Sequence, residues 1–309
     1  MALPAGTLTP TTTVSNLVQT AYDQYVRMAL RSIPVMRAIA DVKPVQQAMP
    51  GSSVVFSIYS DLSTATSTLT ETSDVSSTAL GNPSQVTVTL NEYGSAVTTT
   101  KKLNLTSFND VDAALADIIA YNAADSIDSV VASVLTGGSN AIFAGTATNR
   151  NGITSSMTIS VADIREAVTQ LRSNKALPRI GELYAAYLHP RQSADLRAES
   201  GTGGFQELTK YVERTPFVAG AVGVIEGAFV VETPRVPSVV NTGTVTVYQA
   251  VVAGREALAE AMGQDITTVI GPEIDTLRRF RTIGWYYFGG FARLREAALY
   301  RIESATSIN

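Results

Sequence analysis

The spacing of apolar positions changes period along the chain, and each change marks a new element. From 17 to 33, Leu17, Ala21, Tyr25 and Met28 recur near helical period and Pro34 stops the run, which predicts an amphipathic helical arm. Alternating β-branched residues at 54–59 and 86–90 predict two strands. Between them the chain is nearly all Ser and Thr, with acids only at Asp61, Glu71 and Asp74. This is the pattern of a long two-stranded excursion with no apolar face to bury. Isolated hairpins are marginal in water, so something outside the subunit is required to hold it. A disordered low-complexity loop is the plain alternative.

Beyond the hairpin, Ser107 and Asp110 make a capping box. Val111, Leu115, Ile118, Ile119, Asn122, Ile127, Val130, Val131 and Val134 then run at helical period until Gly137 and Gly138. A helix over 108–136 would be roughly 43 Å long. Its polar face is Asp112, Asp117, Asp125 and Asp128, and no Lys or Arg occurs between 103 and 149, so its basic partners must come from elsewhere. Ser160 with Asp163 opens a helix to about Asn174, 183–188 reads as a strand, and Pro190 starts the helix PRQSADLRA. GVIEGAFVVETPRVP gives two short strands about Glu226-Gly227, and TVTVYQAVVA another. The chain closes with IGWYYF, an expected turn at Gly289-Gly290, and a strand over 298–302.

Composition narrows what such a chain can do. Only 16% of the 309 residues are charged, where about 25% is usual, and this suits a surface largely covered by partners. The net charge is −4, yet 277–301 holds six arginines and one acid, a local +5 that leaves −9 for the rest. Arg278, Arg279 and Arg281 stand beside the single tryptophan, Trp285, in RRFRTIGWYYFGG. Arg and aromatic residues serve both nucleic-acid grooves and protein interfaces. The absence of an overall basic footprint favours the interface, with Arg278, Arg279 and Arg281 meeting the acidic helix face within or between subunits. Sequence-independent contact with DNA is the second use.

Catalytic chemistry is poorly supplied. There is no cysteine and one histidine, His189, which precedes a proline and reads as a helix-opening residue. Triads and His-rich metal sites cannot be assembled from this set. Asp195 and Glu199, one helical turn apart, read as a solvated face, and GTGGF at 201–205 reads as a flexible turn. No catalytic, cofactor-binding or metal residues are assigned. The start, MALPAGTLTPTTT, has no signal-like basic or apolar region, and Gly137, Gly138, Ser139 and Asn140 interrupt 129–149, so neither a secretory signal nor a membrane span is expected.

The order of parts resembles the major capsid proteins of tailed bacteriophages with the Hong Kong 97-like fold, an α+β class. YLHPRQSADLR, GAVGVIEGAFVVETPRVP and GQDITTVIGPEIDTLRRFRTIGWYYFGG resemble stretches of the branch typified by the coliphage N-four capsid protein. The resemblance implies an N-terminal arm at 1–50, an extended E-loop at 51–103 and a spine helix of the peripheral domain at 104–150. It further implies an axial domain at 151–258 and strands returning to the peripheral domain at 259–309. It implies a homo-oligomer of hexamers and pentamers closing into an icosahedral shell, made in the host cytoplasm. The implied partners are a scaffolding protein, a portal, decoration proteins and packaged double-stranded DNA, with no membrane and no cofactor. The candidate contacts between subunits are the three arginines, Trp285, the four helix acids, and Asp61, Glu71 and Asp74. An encapsulin-like nanocompartment shares the fold and would be told apart by a cargo peptide; a Ser/Thr-rich tail or adhesion protein would lack the helix content. A hydrolase is the third rival, and it would require an activity lost on mutating Asp195 or His189.

Overall fold

The structure, a computed structural model, describes residues 33–44, 52–69, 71–75, 77–107, 111–199 and 221–308. The expected arm helix, Asp110 of the first capping box and the GTGGF turn therefore lie outside the described residues. Two sheets organise the rest.

The first is four-stranded, in the order β1 (Asp41–Pro44), β11 (Leu258–Ile270), β12 (Phe280–Arg293), β4 (Asn91–Thr100). β1 lies parallel to β11, and the other pairs are antiparallel. Helix α2 (Val111–Thr136), about 39 Å long, lies on one face of this sheet. The match is set by two periods: Ile119, Ala123 and Ile127 form one helical stripe, and Ile283, Trp285 and Tyr287 are alternate residues of β12. Residues 114–136 are long and apolar enough to cross a membrane; here the apolar side of that stretch is used on the sheets. Register shifts in β11 between Met262 and Thr267 mark bulges in the β11–β12 ribbon.

The second sheet runs β5 (Ala141–Phe143), β13 (Leu299–Ser304), β10 (Thr246–Ala253), β6 (Tyr184–Leu188), β8 (Ala228–Glu232), β7 (Ala221–Ile225), with β9 (Ser238–Val240) also on β10. β6 is buried throughout and β10 nearly so, because both faces are covered. Ala186, Leu188, Ala250 and Val252 pack with helices α3 (Val161–Ser173) and α4 (Pro190–Ala198). Their alternates Ala185, Tyr187, Val251 and Ala253 pack with the C-terminal half of α2 and with a 3-10 turn at Met36–Ile39.

Many local signals form as read. Ser160 and Asp163 exchange both capping hydrogen bonds at the start of α3. Glu226 and Gly227 have φ of 50° and 86°, as a two-residue hairpin turn requires.

Three expectations are corrected. Gly289 and Gly290 make no turn: β12 runs straight through them, paired with Met262 and Ala261 of β11. A Cβ on Gly290 would meet the Thr89 carbonyl carbon at 3.0 Å, so close approach of a neighbouring strand selects the glycine there. Secondly, the hairpin does have an apolar base. β2 (Ser53–Ile58) and β3 (Ser84–Thr89) pair antiparallel, and Val88 and Leu90 are buried with Ala259 and Ala261 while Val54 and Phe56 pack beside them. Thirdly, the returning tail divides: β11 and β12 join the four-stranded sheet, but β13 pairs with β10 in the other one.

Candidate assembly surfaces

At residues 35–37 the chain is strapped down by carboxylates. Val35, Met36 and Arg37 N–H groups donate to the Asp128 carboxylate at 3.3, 2.7 and 3.1 Å. Asp128 is 1% exposed, and burial pushes its carboxyl above the usual range despite those three donors. It therefore leaves the expected acidic outer face of α2 and acts as an internal cap for the 3-10 turn. Arg37 then pairs through two nitrogens with Glu260 on β11, at 3.1 and 2.6 Å. Glu260 is fully buried and also accepts from the Tyr287 hydroxyl at 2.9 Å. Asp41 pairs with Arg179 and accepts the Glu256 N–H at 3.0 Å. The sequence offered one sign of this network: Glu260 is a charge set between Ala259 and Ala261 in an apolar run.

The basic segment meets α2 at its carbonyl end. Arg293 donates to the Val134 carbonyl at 3.0 Å, and Arg301 donates to those of Thr136 and of Gly138, the latter at 2.9 Å. Cations there complement the negative end of the helix dipole and satisfy its last carbonyls. Arg301 also lies 2.6 Å from Glu303, a buried carboxylate that accepts from Arg150 at 2.8 and 2.6 Å. Burial pushes the Glu303 carboxyl up, but the Arg150 hydrogen bonds and the charges of Arg301 and Arg150 outweigh it and hold it below the usual glutamate range. Arg295 in turn pairs with Glu256 at 2.6 Å, so Arg293, Arg295 and Arg301 all brace the body of the subunit.

The other candidates separate. Asp125 pairs with Arg235, which also donates to the Tyr121 hydroxyl at 3.1 Å. Asp117 is exposed on α2 and already engaged in an interaction of its own; Asp112 lies in α2, with its side chain outside the described set. Arg279 pairs with Asp275 in its own turn at 2.5 Å. Arg278, at φ 52°, and Arg281 are exposed at the same end of the sheet. Trp285 is 5% exposed and donates to Asn122 of α2 at 2.9 Å. With Tyr287 fully buried beside it, these two rings build core and offer no platform for stacked bases.

His189 opens α4 as read: its Nδ1 accepts the Arg191 N–H at 3.2 Å, its ring lies 4.4 Å from that of Tyr248, and burial lowers its pKa. Asp195 and Glu199 do not form a solvated face. Asp195 is buried and holds Ser307 of the chain's end, and Glu199 accepts the Val161 N–H at 2.8 Å at the start of α3. Among the described residues, no group of three His, Asp or Glu side chains could hold a metal ion.

Among the described residues, two clusters of large apolar side chains stand exposed beside charged ones. One is the hairpin tip, where Tyr59, Leu62, Leu69, Val75 and Leu80 are exposed beside Asp61, Glu71 and Asp74. The other is the far end of the four-stranded sheet, with Ile270, Ile274 and Leu277 exposed next to helix α1 (Lys101–Thr106) and its exposed Leu103 and Leu105.

The phage capsid protein family matches residues 5–308. The chain belongs to the phage capsid protein family. Its fold is Hong Kong 97-like, as comparison with solved structures shows. The capsid of Ralstonia phage GP4 superposes with a TM-score of 0.75 at 15% identity, covering 94% of this chain and 96% of that one. The capsid of cyanophage P-SCSP1u gives 0.72 at 17% identity over 99% and 97%. The acid-stable capsid of Helicobacter pylori bacteriophage KHP30 gives 0.73 at 15% over 98% and 100%. The comparison with curated proteins returned no match. As a phage capsid protein the chain is a structural component of the virion, one copy of many in a multimeric shell, and the encapsulin reading is not favoured.

Proposed function

We propose that this chain is the major capsid protein of a tailed double-stranded DNA bacteriophage, assembling as hexamers and pentamers into an icosahedral shell around the genome. The observation that carries the reading is the hairpin: its base is packed into the body while the tip exposes apolar and acidic side chains that no described residue covers. A scaffolding protein, a portal, decoration proteins and packaged DNA belong to the same proposal, as do assembly in the host cytoplasm and the absence of catalysis. So does the branch resembling the coliphage N-four protein, which rests on the three quoted stretches.

In this reading 1–50 is the arm, 51–103 the E-loop, 104–150 the spine helix with its neighbourhood, and 151–258 the axial domain. β11 and β12 return to the peripheral sheet, and β13 completes the axial one. The test is electron microscopy of the purified full-length chain. Closed shells, capsomers or tubes are expected; a monodisperse monomer across concentration and salt would defeat the reading.

A further inference from the structure

A cleft between the C-terminal half of α2 and the second sheet collects arginines from distant parts of the chain. Its volume is about 680 Å³, and Arg150, Arg235 and Arg301 line it together with Ser129, Ser133 and Gln249. The three guanidiniums arrive from a 3-10 turn at Arg150–Gly152, from the loop between β8 and β9, and from β13. Among the described residues, no carboxylate lines the cleft.

The carboxylates behind the lining are one too few. Glu303 lies between Arg150 and Arg301, and Asp125 pairs with Arg235. Two negative charges thus face three positive ones, a local +1 in a chain whose net charge is −4. Hydrogen bonds leave the same surplus. Arg150 gives Nε and Nη2 to Glu303. Arg301 sets Nε against Glu303 and gives Nη1 to the carbonyls of Thr136 and Gly138. The Nη1 of Arg150 and the Nη2 of Arg301 make no hydrogen bond among the described residues. Guanidinium N–H groups converging from separate elements suit an oxyanion with several acceptor oxygens, and phosphate is the best match.

We propose that this cleft binds the phosphate group of a small free phosphate compound, of the size of inorganic phosphate or pyrophosphate. Its volume falls in the range of small-molecule sites. The arginines also lie deep, with the side chains of Arg301 and Arg235 only 12% and 14% exposed. A phosphate fixed in a DNA duplex meets groups at the surface, whereas a free one can enter. The walls belong to α2 on one side and to the second sheet with its loops on the other, so an occupant ties them together and stabilises the folded subunit. The inference needs one subunit only and stands apart from the shell reading.

The test follows melting of the purified full-length chain in inorganic phosphate and in pyrophosphate against chloride at matched ionic strength, with calorimetric titration of pyrophosphate. A saturable rise in melting temperature and one site per chain are expected. Ser133→Glu places a carboxylate on an exposed position of the cleft wall and should weaken pyrophosphate binding at least about tenfold. Gln170→Glu makes the same change of charge on an exposed position of α3, across the second sheet, and should leave binding as it is. No saturable response from the unaltered chain, or a response that Ser133→Glu retains, would overturn the proposal. A short DNA duplex separates the other source of phosphate: it should not compete with pyrophosphate. Duplex binding that Ser133→Glu weakens, with no response to pyrophosphate, would assign the arginines to DNA and overturn the proposal as well.

Discussion

Gly290 sits in extended backbone where three strands crowd together, and its test is steric. Gly290→Val would press a side chain against the Thr89 backbone and the Val88 side chain, so it should destabilise the subunit by about 1–3 kcal/mol or more through overpacking. Thermal melting checks this, and an unchanged melting temperature would remove the close-approach argument. Glu303 gives a pH test. Its carboxyl is held below the ordinary value of 4.5, so its contribution is fully present above that pH and lost as pH falls through the lower folded value. The stability gap between wild type and Glu303→Gln should therefore be constant above about pH 5 and shrink below about 4.5; a gap unchanged by acid would contradict it. Residue roles were legible where both partners are near in sequence, as with Ser160 and Asp163. Gly290 and Asp128 were misread because the groups that decide them lie far along the chain, Thr89 about two hundred residues from Gly290 and the 35–37 backbone about ninety from Asp128.

At the scale of elements, helix α2 depends on arginines borrowed from the last strands. Arg301→Ala would free the carbonyls of Thr136 and Gly138 and leave the buried Glu303 with one cationic partner fewer. A loss of about 3–5 kcal/mol is expected, as for a broken buried pair. Arg278→Ala, on an exposed turn, should stay within about 0.5 kcal/mol. Denaturant melts of the two variants should differ accordingly, and equal effects would show that Arg301 is not an internal brace. The elements themselves were legible, because a 26-residue helix and strands of β-branched residues announce their periods locally. Their partners were not. Charge alone sets Arg278, Arg279 and Arg281 against the helix acids; within the subunit Arg293 and Arg301 serve the helix instead, at its end carbonyls, and backbone acceptors leave no trace in composition.

For the whole molecule, the division between a packed body and an uncovered tip makes the hairpin separable from folding. From Tyr59 to Pro83 the described residues are almost all exposed, and the buried contacts of the hairpin begin only near its base at Val54, Phe56 and Val88. Deleting Asp61–Ala79 therefore removes little that the monomer buries, and the truncated chain should melt as the full one does, while its shells should fail to close. The same absence of cations in 51–100 bears on how a finished shell is held. A covalent chain-mail bond from a loop lysine, of the sort that some proteins of this fold form, has no donor here, so many weak contacts repeated by symmetry must suffice. Shells boiled in detergent should run as single 32.7 kDa chains. Covalent ladders on the gel would contradict the non-covalent account, and closed particles from the deletion variant would show that the exposed tip is dispensable for assembly.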